Sequence, residues 1–176
     1  MEMPDQPIKA RSVLDRELTV LRDNTLRASH MVEAAIERAV AALKNQDVGL
    51  AQQVITDDQA INALRFEIEG HCYRLLALQQ PTARDLRAIV TAIHIVVELE
   101  RIGDHAAGIA KLTIELAKEP LLKPLIDIPR MAVVGREMMR DSLSAYLNWD
   151  AEQARRTVAR DTDIDQLNDQ VYRELL

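Results

Sequence analysis

The sequence predicts an all-α protein, and three features of the chain lead to that prediction. Of its 176 residues, 48% are hydrophobic but only 3% are aromatic. Alanine and leucine, with 23 and 22 copies, are the commonest residues, and both favour helices. Glycine occurs five times and proline six times, so residues that break helices are few. Apolar residues also recur every three or four positions, as in Ile89, Ile93 and Val96, which is typical of packed amphipathic helices.

Five long helices are predicted, and every proline lies before or between them. The first break falls at residues 45–47, Asn-Gln-Asp, because asparagine and aspartate favour turns and helix caps. The predicted helices cover, in order, residues 10–44, 48–79, 82–118, 130–147 and 150–176.

The connection between the second and third helices is short. Pro81 disfavours helical geometry at Gln80, which ends the second helix. Thr82 can cap the third helix, and Asp85 three residues later completes a variant capping box. The two helices are therefore expected to be antiparallel neighbours.

A segment with three prolines, 119–129, is predicted to be a stiff linker. We expect tandem three-helix bundles of up-and-down, spectrin-like helices on either side of it. Residues 1–118 form the first bundle, and 130–176 form the first two helices of a second, incomplete one.

An internal repeat appears when the chain is shifted by 103 residues. The Asn-Gln-Asp turn at 45–47 then falls on Asn-Trp-Asp at 148–150, and Asp58 falls on Asp161. Two unrelated amphipathic helices can also match this well, so that alternative stays open. If the repeat is real, the third helix of the first unit has no counterpart in the second unit, and we expect a truncated protein.

Several classes of protein are excluded or disfavoured by composition. The single cysteine, Cys72, rules out a disulfide scaffold and is expected to pack as a small hydrophobe. No uncharged run reaches the roughly 18 residues that a membrane span needs, and no secretory signal is present. The net charge of −6 argues against a nucleic-acid partner. These features favour a cytoplasmic protein.

The third predicted helix carries two carboxylates on one face. Glu100 and Asp104 are four residues apart, so their side chains are neighbours whose like charges repel. The hairpin at Pro81 adds two more oxygen donors. Asp58 and Asp104 each lie 23 residues from Pro81, and Asn62 and Glu100 each lie 19 residues from it. An antiparallel pair of helices with equal rise therefore brings all four side chains to one level.

Oxygen donors at one level predict a metal site, and two or more ions could share it. Such ligands suit Mg²⁺, Mn²⁺ or iron. Asp161 and Asp165 would form an equivalent site in the second unit. A purely structural alternative remains, in which Glu100 and Asp104 pair with Arg101, Lys111 or Arg27.

No arrangement typical of a catalytic centre stands out. The chain has no glycine-rich phosphate loop and no Ser–His–Asp or Cys–His pattern. His94 and His105 point away from Glu100 and are poor ligands, and His30 and His71 are interpreted as ordinary surface or core residues. A metal-dependent phosphoester hydrolase and a metal-free structural bundle remain alternatives to a regulatory protein.

Two segments together resemble the PhoU family, the accessory proteins of phosphate-specific transport systems. They are Gln-Pro-Thr-Ala-Arg-Asp-Leu-Arg at 80–87 and Leu-Glu-Arg-Ile-Gly-Asp at 99–104. The resemblance implies two three-helix repeats and metal clusters, of iron or of Mn, Mg or Zn, with no organic cofactor. The implied ligands are Glu100, Asp104, Asp58, Asn62, Asp161 and Asp165.

The same resemblance implies a regulator without enzymatic activity. PhoU-like proteins restrain the phosphate-starvation response, the Pho regulon, and phosphate uptake. The implied partners are a sensor histidine kinase, the ATPase subunit of the phosphate ABC transporter and a second copy of the chain. The protein is then expected in the cytoplasm, peripheral to the inner membrane through its partners.

Overall fold

The structure, a computed structural model, describes residues 6–121 and 123–175 and is helical almost throughout. Its helices are, in chain order, α1 (Gln6–Asn45), α2 (Val48–Gln79), α3 (Ala83–Leu116), α4 (Asp127–Asn148), α5 (Ala151–Ala159) and α6 (Asp161–Leu175). These two ranges contain no strand, so the predicted all-α class is confirmed. Within them, no helix has the length and apolar character needed to cross a bilayer.

The first three helices form one bundle, called the first unit below, and α4 to α6 form the second unit. The first unit encloses an aliphatic core to which all three helices contribute, centred on Val32, Ile68, Ile89 and Val96. Many core positions are alanine, and such small side chains let the helices approach closely. Cys72 is fully buried in this core, as predicted.

The second unit is attached to the first through α4, which packs along α1. An ion pair links the helices, with 3.1 Å between Arg140 Nε and Glu33 Oε1. The hydroxyl of Tyr146 donates a hydrogen bond to the carbonyl oxygen of Ala88 in α3 at 2.9 Å. The end of α4 is thereby held against the first turns of α3.

The hairpin at Pro81 forms as predicted, but its capping does not. Gln80 is left-handed, with φ of 44°, and Thr82 is extended, so the helix breaks between α2 and α3. The side chain of Thr82 makes no capping hydrogen bond, and the predicted capping box is therefore wrong. Asp85 instead accepts a hydrogen bond from Arg11 Nη1 of α1 at 2.7 Å, which directs its carboxylate away from the cap.

The prediction of one continuous last helix is wrong, because this helix is broken at Arg160 into α5 and α6. The N–H of Arg160 bonds back to Thr157, and its guanidinium reaches Glu137 and Asp141 of α4 at 2.6 and 3.2 Å. Acidic residues, beginning with Asp161, then occupy the first turn of α6, where negative charge is favourable. Helix α4 also begins three residues earlier than predicted, since a proline is tolerated in a first turn.

The turns that end α1 and α4 have the same geometry at the offset of 103 residues. Gln46 and Trp149 are both left-handed, with φ of 51° and 58°. Asp47 and Asp150 are both N-caps whose side chains accept from the N–H three residues later, at 2.9 and 2.8 Å. These caps explain why each helix stops and the next begins at that point.

One ion pair recurs at the same offset with its charges exchanged. Arg38 of α1 donates to Asp57 of α2, with 2.6 Å between Nη1 and Oδ2. The corresponding residues of the second unit are Asp141 and Arg160, 3.2 Å apart. The polarity of this contact is reversed while its place in the fold is kept.

An apolar groove of about 460 Å³ runs between α3 and the second unit. Its second-unit wall consists of Gly135, Met138, Met139, Ser142, Leu143 and Ile164. The residues at the corresponding first-unit positions are Val32, Ala35, Ile36, Ala39, Val40 and Ile61, which are buried or partly buried. The same wall therefore belongs to a core in one unit and to a groove in the other.

Candidate functional site

The predicted site lies where α2 packs closely against α3, at Gly103. A Cβ atom added to Gly103 would lie 3.3 Å from Ile61 and 3.4 Å from Asp58 Oδ1. At 3.3 Å, the Ile61 side chain would have to shift by a few tenths of an ångström to admit a methyl group here. The glycine therefore places Asp58 directly against the backbone of α3, a role that the sequence analysis did not assign to it.

Asp58 is half-buried and only partly satisfied. Its Oδ2 accepts a hydrogen bond from Asn62 Nδ2 at 3.0 Å, but its Oδ1 is buried without a partner. Burial is the main cause that raises the pKa of Asp58, and the negative charges of Asp104 and Glu100 raise it further. The Asn62 hydrogen bond and the charge of Lys111 oppose the rise. Asp58 of α2 is thus hydrogen-bonded to Asn62 and lies within electrostatic reach of Asp104 and Glu100 across the hairpin.

Glu100 has a partner that the sequence analysis missed. Its Oε1 lies 3.2 Å from Arg65 Nη1, and Arg65 Nε lies 3.3 Å from Glu69 Oε1. Arg65 is three residues after Asn62, on the same face of α2, which is a spacing that could have identified it. Arg101, one of the partners considered above, pairs with Glu98 instead, at 2.9 Å.

Asp104 is exposed, and among the described residues no cationic side chain lies within salt-bridge distance of it. The local charge is therefore dominated by three carboxylates facing Arg65 and Lys111. In the described part of the chain, no three His, Cys, Asp or Glu side chains are arranged to hold a metal ion. Of the four predicted ligands, Glu100 and Asn62 are already engaged in contacts within the protein.

The remaining predicted ligands lie apart from this cluster. Asp161 and Asp165 are exposed in the first two turns of α6, which starts a new helix after Arg160. They share one face of α6. In the first unit, α3 folds back against α2 and supplies donors that face those of α2, but the described residues contain no helix that does the same for α6. His94 and His105 are exposed, and His94 lines the apolar groove. His71 is buried, and its Nε2 lies 2.9 Å from Glu17 Oε2.

Comparisons with known proteins agree with this two-unit architecture. A family model described as the PhoU domain matches residues 25–113 and 128–176. The chain is 39% identical over 163 residues to the phosphate-specific transport system accessory protein PhoU homolog of Aquifex aeolicus, covering 93% of this chain and 74% of that protein. It is 34% identical over 163 residues to the phosphate-specific transport system accessory protein PhoU of Escherichia coli, covering 91% and 66%.

Two solved structures have the same fold over most of the chain. The crystal structure of PhoU from Pseudomonas aeruginosa matches with a TM-score of 0.85 and 34% identity, covering 92% of this chain and 78% of that one. The phosphate transport system regulatory protein PhoU from Streptococcus pneumoniae matches with a TM-score of 0.80 and 34% identity, covering 88% and 72%.

Proposed function

We propose, because the chain belongs to the PhoU family, that it is a negative regulator of the phosphate-starvation response and of phosphate uptake. The main support for the proposal is the similarity of the chain to phosphate-specific transport system accessory proteins. The matches to these relatives cover more than nine-tenths of this chain. In this proposal the chain is an adaptor between the ATPase subunit of the phosphate ABC transporter and a sensor histidine kinase. When phosphate is plentiful, it holds the kinase in its phosphatase state and restrains transport.

The adaptor acts by binding and not by catalysis. Long, regular helices such as α2 and α3 offer continuous faces against which partner helices can pack. The proposal includes a cytoplasmic location, attachment to the inner membrane through partners, and a homodimer. No nucleic acid takes part, in keeping with the net charge of −6.

The proposal includes a metal cluster at the hairpin. Asp58 Oδ1 supports it, because a buried carboxylate oxygen without a hydrogen-bond donor is costly and a cation would relieve that cost. Asp58 and Asp104 are the side chains most available to hold ions such as iron, Mn²⁺, Mg²⁺ or Zn²⁺. Glu100 can join them when its side chain leaves Arg65, and Asn62 offers its amide oxygen. Bound ions would join α2 to α3 and stiffen the faces offered to partners.

The two units are proposed to be repeats of one ancestral element. Three observations support this proposal: the matching geometry of the turns at Gln46 and Trp149, the ion pair whose charges are exchanged between the units, and the two separate matches to the family model. The proposed division places the first repeat at 1–118, the linker at 119–129 and the second repeat at 130–176. Asp161 and Asp165 are then the second-unit counterparts of the hairpin ligands.

The regulatory proposal is tested in a bacterial strain that lacks its own member of the family. Expression of this chain is expected to lower the activity of a phosphate-starvation reporter in phosphate-rich medium. The tagged chain is also expected to co-purify with the transporter ATPase subunit and the sensor kinase. Reporter activity that stays high, together with the absence of both partners, would contradict the adaptor role without bearing on metal binding.

A further inference from the structure

A pocket lined by both polar and apolar side chains lies far from the carboxylate cluster in the fold. It has a volume of about 200 Å³ and is formed where α1, the first turns of α3 and the end of α4 meet. A water molecule takes up about 30 Å³ in the liquid, so the pocket has room for a polyatomic ion in place of several waters. Its walls come from both units.

The charge in this pocket is uneven. Arg22 of α1 and Arg84 of α3 both line it, and within the described ranges neither has a carboxylate at salt-bridge distance. The one acidic residue in the wall, Asp85, is already paired with Arg11 at 2.7 Å. Arg11 also contacts Asp15, at 3.1 Å. Two guanidinium groups are thus left without a counter-charge.

One of these two cations is held in place by an aromatic ring. The guanidinium of Arg84 lies 4.7 Å from the centre of the Trp149 ring, and a stacked guanidinium keeps its N–H donors free at its edges. Trp149 is itself fixed as the left-handed residue that ends α4, with its N–H bonded to the carbonyls of Ala145 and Tyr146. Arg84 is therefore oriented before any ligand arrives.

The two remaining polar side chains of the pocket, Thr19 and Tyr146, do not oppose an anion. The hydroxyl of Thr19 donates to the carbonyl of Asp15 at 3.0 Å. The hydroxyl of Tyr146 is committed to the carbonyl of Ala88 at 2.9 Å. Burial raises the pKa of Tyr146 to about 12, so the phenol carries no negative charge at neutral pH. The pocket thus presents two free cations, one apolar wall and no uncompensated negative charge.

We propose that this pocket binds a phosphate-type oxyanion between Arg22 and Arg84. Guanidinium groups match the oxygens of such an anion through paired N–H donors, and each bond is strengthened by charge. The ligand is either free inorganic phosphate or the phosphoryl group of a small phosphomonoester. Its binding would link α1 and α3 of the first unit near the end of α4. The inference depends neither on the metal cluster nor on the proposed partners.

The structure supplies its own reporter for the test. Trp149 is the one tryptophan of the chain and lies under Arg84, so an anion that binds Arg84 changes its fluorescence. The intact chain is titrated with inorganic phosphate, glycerol phosphate or chloride at constant ionic strength. The same titrations are made with Arg22→Gln and with Arg101→Gln, an exposed arginine of α3 that pairs with Glu98. Among the described residues the cation stacked on the indole ring is Arg84 and not Arg22, so Arg22→Gln keeps the stacked pair that serves as the reporter.

A saturable response to inorganic phosphate is expected, weakened about tenfold by Arg22→Gln and unchanged by Arg101→Gln. Saturation by glycerol phosphate alone would also support the pocket and would identify the phosphoryl group of a larger molecule as its ligand. A response that does not saturate, or that chloride reproduces, would overturn the proposal. Equal affinities in Arg22→Gln and the unaltered chain, with both folded by circular dichroism, would overturn it as well.

Discussion

Arg65 of α2 holds Glu100 of α3 by an ion pair in which Nη1 and Oε1 are 3.2 Å apart. Both side chains are largely shielded from solvent, with exposed fractions of 25% and 14%. This contact neutralises one carboxylate of the cluster and leaves Asp58 and Asp104 without an equivalent partner. The arginine therefore competes with any cation for Glu100.

The first prediction concerns a variant in which Arg65 no longer competes with a cation for Glu100. Arg65→Gln is expected to raise the affinity for Mn²⁺ or Fe²⁺ several-fold, because it frees Glu100 and deletes a nearby positive charge. Isothermal titration calorimetry on protein first stripped with chelator measures the change. Arg101→Gln is the matched control, since it removes the same charge from an exposed pair that does not include Glu100. An affinity that falls or stays constant in Arg65→Gln would remove Glu100 from the proposed ligands.

The second prediction concerns the metal content of a variant that lacks the two carboxylates of α3. The double variant Glu100→Ala/Asp104→Ala is expected to lower the metal content of the purified protein while its helicity by circular dichroism stays largely intact. Helicity is retained because alanine favours helices and neither side chain belongs to the core. Elemental analysis measures the metal, and Glu98→Ala, an exposed site on the same helix, serves as control. Unchanged metal stoichiometry would contradict the assignment.

The third prediction concerns the pH dependence of stability in chelator. Burial, followed by the charges of Asp104 and Glu100, raises the pKa of Asp58 in the folded state. A folded carboxyl with a raised pKa binds its proton more tightly than the unfolded chain does. Stability is therefore lost as the pH rises from the unfolded pKa of about 3.9 through the folded pKa. Asp58→Asn is expected to raise the Tm at pH 7, with a difference that shrinks below about pH 4.

The residue beside it provides a control of opposite sign. Asp57→Asn removes the ion pair with Arg38 and is expected to lower the Tm slightly at pH 7. A lower Tm for Asp58→Asn at neutral pH in metal-free buffer would show that its carboxylate is compensated in the folded protein.

The convergence at the hairpin could be predicted because it depends on spacing alone. Equal distances of Asp58 and Asp104 from Pro81 determine their common level once both helices are regular, and the close contact at Gly103 keeps them there. The pairing of Glu100 with Arg65 could not be predicted in the same way. The sequence offers Arg101, Lys111 and Arg27 as other candidate partners of the cluster, and side-chain packing decides among them.

The break at Arg160 shows a second limit of reasoning from the chain alone. The segment around it has a regular helical pattern, and its counterpart in α2 is unbroken. Its two ion pairs with α4 are tertiary contacts that become visible only when α4 and α5 lie side by side. Local patterns predict helices well, but contacts with a neighbouring helix decide where a long one is interrupted.

The fourth prediction compares two glycines of α3. Gly108 has nothing within 4 Å of an added Cβ, so Gly108→Ala is expected to stabilise the protein by up to about 1 kcal/mol through helix propensity. Gly103→Ala gains the same propensity but places its methyl 3.3 Å from Ile61, which is buried in the core. Its free energy of unfolding is therefore expected to be lower than that of Gly108→Ala, in urea denaturation at one pH. Equal values would show that the Ile61 side chain accommodates the methyl group without cost.

The fifth prediction follows from the exchanged ion pair. Because the second unit has aspartate at 141 and arginine at 160 where the first has Arg38 and Asp57, the fold accepts either polarity at this contact. Arg38→Asp alone places two carboxylates together, and Asp57→Arg alone places two guanidiniums together. Each is expected to destabilise the protein by about 0.5–1 kcal/mol, a modest value because Asp57 is 55% exposed.

The double variant Arg38→Asp/Asp57→Arg restores an attractive pair with the polarity of the second unit. Its unfolding free energy is expected to return to within about 0.5 kcal/mol of the unaltered chain, so that the double-mutant cycle shows a favourable coupling. Urea denaturation of the four proteins measures this coupling. Additive losses would mean that the first unit depends on the packing of the Arg38 stem and not on the charge pair. The two contacts would then differ in their physical basis despite their equal positions.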